Sequence, residues 1–341
     1  MSTDAIPITV LTGFLGSGKT TVLRHLLGLG ALNRTLVLVN EFGEVGLDHE
    51  LLAPIDDDTL VAVDSGCICC TIRADLVRTL NEAPWRYARG GSRWFDRVVI
   101  ETTGIADPAP ILQTILGDEK VSVQYSLVSV ITAVDAVNGL QTLEQHYEAV
   151  KQVAVADRIM LTKVDLLDAV DPGLEDLLRK LAPAVPITRV EAGAAAAEWF
   201  RIDDAYSVSG KSADVEAWLA SESVEPTASG HHHKHDLNRH GEIEASCITF
   251  DQPVDASLFE SCLSMLMEFR GSDLLRVKGI VNVIGMDRPI IIHGVQHVFH
   301  PPEILEQWPS ADRRTRIVVI GRELAKEDIR RCFSALRMNA T

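Results

Sequence analysis

The sequence has few cysteines, no long apolar segment and no excess of basic residues. Six cysteines in 341 residues do not make a disulfide framework. No apolar run approaches the roughly 20 residues that span a bilayer, so we expect no membrane partner. The net charge of −16 argues against a general nucleic-acid binder, because an acidic surface repels phosphate backbones.

The amino-terminal segment also lacks the features of a secretion signal. "MSTDAIPITVLTGFLG" has no basic region before its apolar stretch and runs directly into a glycine-rich turn. We therefore expect no signal peptide and a cytoplasmic location.

Residues 1–220 alternate short apolar runs with helical segments. Several of the runs are almost continuous in valine, isoleucine and leucine, which is typical of strands buried on both faces. This pattern predicts an α/β domain with a mostly parallel sheet, and the glycine-rich motif described below makes it a Rossmann-like P-loop NTPase domain. The candidate strands are Ile6–Leu11, Thr35–Val39, Leu60–Val63, Arg97–Ile100, Leu127–Thr132 and Ile159–Leu161. The candidate helices are Lys19–Leu29, Thr71–Leu80, Pro110–Leu116, Leu143–Val155 and Gly173–Ala182.

Residues 221–241 interrupt this pattern, since they are polar and have no apolar periodicity. We interpret them as a histidine-rich linker or loop.

The pattern of residues 242–341 predicts a smaller α+β carboxyl-terminal domain. Its expected elements are a strand in "IEASCITF", a helix capped by Asp255, strands at Leu274–Ile284, Ile290–Phe299 and Arg316–Ile320, and a helix at Ala325–Leu336.

The segment "GFLGSGKT" matches the phosphate-binding loop pattern G-x-x-x-x-G-K-[ST] between a strand and a helix. Glycines allow backbone N–H groups to point at phosphate oxygens, and the helix amino terminus adds a positive dipole end. Lysine reaches the β- and γ-phosphates, and the threonine hydroxyl can bind Mg²⁺. The expected nucleotide-binding residues here are Gly13, Gly16, Ser17, Gly18, Lys19, Thr20 and Thr21.

The segment "TKVD" follows a later strand and resembles the guanine-binding motif of P-loop GTPases. Asp165 can accept hydrogen bonds from the guanine N1 and N2 groups, and the Lys163 stem can cover the base beside Thr162. Adenine has no such donor pair, so the motif predicts GTP and GDP as the nucleotides. A further guanine loop could come from "SVSGK" or from "VPITRVEAG", and the sequence leaves both open.

The segment "ETTG" provides the expected counterpart of the second magnesium motif. Glu101 ends a predicted strand and would hold the Mg²⁺ shell, and Gly104 would let the backbone meet the γ-phosphate. With Lys19, these residues form the expected catalytic set. No glutamine follows Gly104, so we expect slow intrinsic hydrolysis.

Three cysteines, Cys67, Cys69 and Cys70, lie in "GCICC" before a predicted helix. A helix amino terminus favours thiolates, which are suitable ligands for Zn²⁺, Cu⁺ or Co²⁺. Buried structural thiols and a redox pair are the alternatives. A tetrahedral metal site needs a fourth ligand. The candidates are Glu41 first, then Asp48, His49 or a cysteine of a second chain in a homodimer.

The motifs "GFLGSGKTT", "NEFGEVGLD", "GCICC", "ETTGIADP" and "TKVD", in this order, resemble the CobW family of GTP-dependent metallochaperones. The resemblance covers essentially the whole chain, and "LLRVKGIVNV" and "HGVQHVF" resemble the family's carboxyl-terminal domain. It implies GTP hydrolysis with Mg²⁺ and delivery of a transition metal, Zn²⁺ first and Co²⁺ second. The implied partner is a client metalloprotein or a metallocofactor enzyme.

The linker carries a histidine cluster, His231, His232, His233 and His235. Neutral imidazoles bind Zn²⁺, Ni²⁺ and Co²⁺, so the cluster predicts a weak metal-collecting site. A solvated polar loop is the alternative.

Two other functions also fit parts of this sequence. One is a nucleotide-switched metal buffer or stress sensor without a client. The other is an ATP-using kinase or ATPase, in which the three clustered cysteines would be incidental and ATP would be preferred over GTP.

Overall fold

A computed structural model describes residues 5–40, 60–63, 71–183, 185–191, 197–200, 243–271, 273–299, 302–324 and 326–338. The chain divides into two units. The first comprises Met1–Glu175 and Pro186–Tyr206, and the second comprises Asp176–Val185 and Ser207–Thr341. The predicted boundaries at 220 and 241 lie outside the described residues. None of the helices described is long and apolar enough to cross a bilayer.

The first unit contains a parallel sheet with seven strands among the described residues, in the order β3-β2-β6-β1-β7-β8-β9. The central strand β1 is buried along its whole length, as its continuous apolar sequence predicts. The strands are β1 Ile6–Thr12, β2 Thr35–Asn40, β3 Leu60–Val63, β6 Arg97–Glu101, β7 Tyr125–Asp135, β8 Arg158–Thr162 and β9 Ile187–Val190. The predicted fold class is confirmed.

Helices connect these parallel strands. They are α1 Lys19–Gly28, α2 Thr71–Arg86, α3 Ala109–Gly117, α4 Glu119–Gln124, α5 Gly139–Gln145, α6 Tyr147–Ala154 and α7 Pro172–Leu181. A short hairpin, β4 Ala88–Arg89 and β5 Ser92–Arg93, precedes β6. 3₁₀ turns occur at Val164–Leu166 and Ala197–Phe200.

The predicted single helix Leu143–Val155 is wrong, because the chain breaks at His146. The His146 backbone is extended, with φ −126° and ψ 112°, and its side chain stacks on Phe14 with ring centroids 4.5 Å apart. Periodicity does not detect this break, because both short helices keep an apolar face. The edge strand β9 was not among the predicted strands, since it is only partly buried and includes the exposed Arg189.

The second unit contains an antiparallel sheet in the order β10-β15-β11-β12-β13, with β14 paired to β12. The strands are β10 Ile243–Phe250, β11 Leu274–Val281, β12 Ile290–Val295, β13 Val298–Phe299, β14 Glu303–Ile304 and β15 Thr315–Arg322. The helices are α8 Ala256–Arg270, α9 Lys326–Cys332 and α10 Ser334–Met338. Apolar residues of α8, α9 and the sheet form its core.

The predicted strands and helices of this unit are confirmed as to type, but several of them differ in length from the prediction. The predicted strand Ile290–Phe299 is two strands joined by a turn in which Gln296 has φ 52°. The predicted last helix is likewise divided into α9 and α10. Asp255 caps α8 as predicted, because its side chain accepts a hydrogen bond from the Leu258 N–H at 2.9 Å.

Candidate nucleotide and metal site

The loop between β1 and α1 has a backbone that requires glycine. Gly13, Gly16 and Gly18 have φ of 142°, 73° and 87°, in the region that other residues rarely adopt. A Cβ on Gly13 would lie 2.3 Å from the carbonyl oxygen of Ala133. The loop therefore passes against the end of β7 and turns its backbone toward the start of α1.

Lys19 begins α1 and is buried, with 7% of its surface exposed. Its Nζ donates to the carbonyl oxygens of Gly13 at 2.7 Å and Phe14 at 3.3 Å. These contacts hold a full positive charge over the loop. In a loop of this kind, the lysine carries its charge to the β- and γ-phosphates, and this role of Lys19 stays a prediction.

Thr20 and Glu101 are 81 residues apart in sequence and meet in the fold. The Thr20 hydroxyl donates to the Glu101 carboxylate at 2.9 Å, and Glu101 is 4% exposed at the end of β6. A hydroxyl and a carboxylate are the hard oxygen ligands that Mg²⁺ prefers. The donor set therefore fits Mg²⁺, and these two residues would hold it.

The segment after β6 packs against the phosphate loop. The Thr102 hydroxyl donates to the Thr12 hydroxyl at 2.8 Å, and the Thr102 N–H donates to the Leu11 carbonyl at 3.0 Å. A Cβ on Gly104 would lie 2.6 Å from the Leu15 nitrogen, so only glycine fits there without displacement. Gly104 therefore lies against the phosphate loop, and its role toward a γ-phosphate stays a prediction.

Helix α6 provides two contacts to this segment that sequence reasoning missed. The Lys151 Nζ lies 2.7 Å from the Asp107 carboxylate, and the Gln152 side-chain amide donates to the carbonyl oxygens of Gly104 and Ala106. No motif marks either residue. The only signal was the polar pair Lys151 and Gln152 inside the otherwise apolar stretch "VKQVAVA".

The predicted guanine-binding segment lies at the end of β8. The Thr162 hydroxyl donates to the Ser17 carbonyl at 2.7 Å, which fixes this segment against the phosphate loop. Lys163 has a left-handed backbone with φ 59°, and Asp165 is exposed within the 3₁₀ turn. The fold therefore brings the phosphate-loop motif and "TKVD" to the same edge of the sheet.

Asp135 is a further site residue that the sequence did not indicate. The Lys163 Nζ lies 2.7 Å from its carboxylate, and Asn138 donates to the same group through Nδ2 at 3.1 Å. Burial acts to raise the pKa of Asp135, but the hydrogen bonds from Lys163, Asn138 and the Val137 N–H outweigh burial and lower the pKa. Asp135 is thus ionised at neutral pH and orients Lys163.

The segment "VPITRVEAG" forms β9 beside β8. Strand β9 runs parallel to β8, so Val190 lies at the edge of the sheet where Thr162 lies, and both candidates for the further guanine loop stay open. Ser207–Lys211 lies outside the described residues.

The predicted transition-metal ligands also lie outside the described residues and stay predictions. They are Glu41, Asp48, His49, Cys67, Cys69, Cys70, His231, His232, His233 and His235. In sequence, Glu41 follows the last residue of β2 and Cys70 precedes the first residue of α2. Within the part of the chain that is described, no group of three His, Cys, Asp or Glu side chains could hold a metal ion.

Two family profiles together match most of this chain. The CobW/HypB/UreG nucleotide-binding domain matches residues 7–189, and the cobalamin synthesis protein CobW carboxyl-terminal domain matches residues 243–337. The two matches correspond to the parallel-sheet and antiparallel-sheet regions described above.

Two individual proteins also match this chain. The chain is 33% identical to the zinc chaperone YjiA of Escherichia coli K12 over 335 residues, 98% of this chain and 99% of that protein. It is 36% identical to the zinc-regulated GTPase metalloprotein activator 1 of Schizosaccharomyces pombe over 172 residues, 49% of this chain and 41% of that protein.

Solved structures of the Escherichia coli YjiA GTPase share the fold. The Zn(II)-bound form has a TM-score of 0.66 at 28% identity, covering 99% of this chain and 100% of that one. A Zn(II)-bound variant, with one glutamate and two adjacent cysteines replaced by alanine, has a TM-score of 0.65, covering 98% of this chain and 99% of that one.

Proposed function

The chain belongs to the CobW family, and from this we propose that it is a cytoplasmic GTPase that binds Zn²⁺ at its Cys-x-Cys-Cys segment and delivers the ion to a client metalloprotein. The observation that carries the proposal is the hydrogen bond of 2.9 Å between Thr20 and Glu101, beside the buried Lys19. It joins the two halves of a nucleotide and magnesium site in a chain that also carries "GCICC".

The proposed reaction is in-line attack of water on the γ-phosphate of GTP, which forms GDP and phosphate. Lys19 and the loop N–H groups stabilise negative charge on the transferring phosphoryl group. The Gly104 backbone N–H reaches the same group. Bound Mg²⁺ would neutralise the phosphate oxygens, held by Thr20 and by Glu101 through water.

Turnover without a partner should be slow. The residue after Gly104 is Ile105, which is 45% exposed and has no polar group to orient the attacking water. A client or a metal ion would then supply what the free chain lacks.

The proposed cargo is zinc, with cobalt as the second candidate. Three clustered thiolates and a carboxylate are a suitable donor set for either ion. The relatives named above carry zinc in their names, and a glutamate and two adjacent cysteines were the residues replaced in the Zn(II)-bound YjiA variant. In this chain, Glu41 and the adjacent pair Cys69 and Cys70 are the residues of matching type.

Anaerobic titration with Co²⁺ and Zn²⁺ tests the cargo site. With Mg²⁺ and a non-hydrolysable GTP analogue present, Co²⁺ should give thiolate charge-transfer bands, and Zn²⁺ should displace it. Cys69→Ala should abolish the bands, whereas Cys332→Ala, which changes a half-buried thiol of the second unit, should leave them intact. Bands that survive Cys69→Ala would remove this cysteine from the site.

Coupling between nucleotide and metal is the second part of the test. The proposal requires Zn²⁺ affinity to differ between the GDP and GTP-analogue states, because release on hydrolysis supplies the ion to the client. Equal affinities would reject nucleotide-controlled delivery. Unequal affinities with no client that binds only the GTP state would indicate a metal buffer.

A further inference from the structure

Gln152 on α6 is fully buried, yet the nucleotide motifs do not include it. Its Nε2 donates to the carbonyl oxygens of Gly104 at 3.2 Å and Ala106 at 3.0 Å. A side-chain amide has two N–H groups, and both are used here. The opposite orientation would place the amide oxygen against two carbonyl oxygens, so the neighbours fix how this side chain points.

The segment from Gly104 to Asp107 is thereby attached to α6 at two places. Besides the Gln152 amide, the Lys151 Nζ lies 2.7 Å from the Asp107 carboxylate, which also accepts from the Ala109 N–H at the start of α3. On the opposite side, Gly104 contacts the backbone of Leu15. The segment therefore lies between the phosphate loop and α6.

The amide oxygen of Gln152 has no hydrogen-bond partner among the described residues, and neither has the hydroxyl of Ser17. Both residues line a cavity of about 170 Å³ between the phosphate loop and α6. A space of this size is larger than one water molecule needs. Gln152 and Ser17 therefore border the same space beside the phosphate loop.

We propose that Gln152 is a positioning residue that holds Gly104 against the phosphate loop, so that GTP hydrolysis and the preference for GTP over GDP depend on it. The inference rests on the proposed function, since it requires the Gly104 N–H to contact the γ-phosphate. GDP has no γ-phosphate, and its binding should therefore not depend on Gln152.

The test compares Gln152→Met with Gln141→Met in the full chain. Methionine has a similar length and volume but no donor, and Gln141 is an exposed glutamine of α5. We expect Gln152→Met to lower kcat roughly tenfold and to weaken binding of a GTP analogue, the effect of one lost buried hydrogen bond pair. The Kd for GDP should stay within about twofold. Gln141→Met should match the wild type in every value.

A folded Gln152→Met protein with wild-type kcat and an unchanged ratio of GDP to GTP-analogue affinity would overturn the inference. If the wild type itself neither binds nor hydrolyses GTP, the proposed function is wrong, and the inference that rests on it is wrong as well. These two failures are distinguished by the wild-type measurement alone.

A second measurement applies if the methionine variant does not fold. Amide hydrogen exchange in the wild-type chain is compared between the GDP and GTP-analogue states. Residues 102–108 and 149–154 should change their protection together. A change confined to 102–108, with α6 unaltered, would contradict a role for Gln152 in holding this segment.

Discussion

Gly104 has no space for a side chain, because a Cβ there would lie 2.6 Å from the Leu15 nitrogen and 2.7 Å from its Cα. The obstacle is backbone and cannot rotate away. The same absence of a side chain lets the segment after β6 approach the phosphate loop closely, as the proposed contact with a γ-phosphate requires. At Gly104, the packing and the proposed activity both require that there is no Cβ.

Replacement of Gly104 by alanine should therefore affect both properties. We expect a loss of about 1–3 kcal/mol in the free energy of unfolding from the displaced backbone, and a fall in GTP turnover of at least about tenfold. Gly28→Ala is the matched control, since a Cβ there meets nothing within 4 Å. Thermal unfolding and steady-state GTP hydrolysis measure the two effects. Wild-type turnover in a folded Gly104→Ala protein would contradict the close approach.

Helix boundaries illustrate how single residues act at the scale of an element. Helix α8 begins at Ala256 because the Asp255 side chain accepts the Leu258 N–H, one of the donors that a helix start leaves unsatisfied. Its buried residues Phe259, Cys262, Leu263 and Leu266 then face the sheet of the second unit. Here, local capping and core packing specify the same helix.

Removal of this cap should destabilise the start of α8. Asp255→Ala should cost about 1 kcal/mol and increase amide exchange in residues 256–260. Glu260→Ala, which removes the same charge from an exposed position within the helix, should leave exchange nearly unchanged because alanine favours helices. Equal exchange in the two variants would show that the carboxylate of Asp255 does not stabilise the helix start.

At the scale of the whole molecule, the described residues of the two units form separate apolar cores. The parallel sheet and α1 enclose one cluster that includes Leu11, Leu23 and Met160, and the antiparallel sheet encloses another that includes Phe259, Ile317 and Phe333. The nucleotide-site residues described above, Lys19, Thr20, Glu101 and Thr162 among them, all belong to the first unit. Nucleotide binding should accordingly stabilise the two cores to different extents.

Addition of Mg²⁺ and GDP at a hundred times the Kd should stabilise the first unit by about 2.7 kcal/mol through mass action. Hydrogen exchange followed by mass spectrometry should show slower exchange in residues 5–40 and 97–165 and little change in 273–299. ATP at the same concentration is the control, because the "TKVD" motif predicts guanine selectivity. Equal protection by ATP would contradict the guanine assignment.

The α/β fold class and the central strands could be predicted from the sequence because each depends on local rules, and the family could be predicted from the resemblance of its motifs. Continuous apolar runs indicate strands buried on both faces, and a glycine-rich turn before a lysine has few conformations other than the observed loop. The motif spacing was sufficient to select Lys19, Thr20 and Glu101, which the fold brings together.

The remaining features could be found only in the tertiary structure. Gln152 approaches Gly104 from 48 residues away, and Asp135 approaches Lys163 from 28 residues away. At the break between α5 and α6, the His146 ring stacks on Phe14, which lies more than 130 positions earlier in the sequence. The sequence by itself determined the central strands and the phosphate loop through short-range backbone and hydrophobic preferences. The tertiary structure decided which buried polar groups contact that loop, because hydrogen bonds between distant segments leave no periodic trace in a sequence.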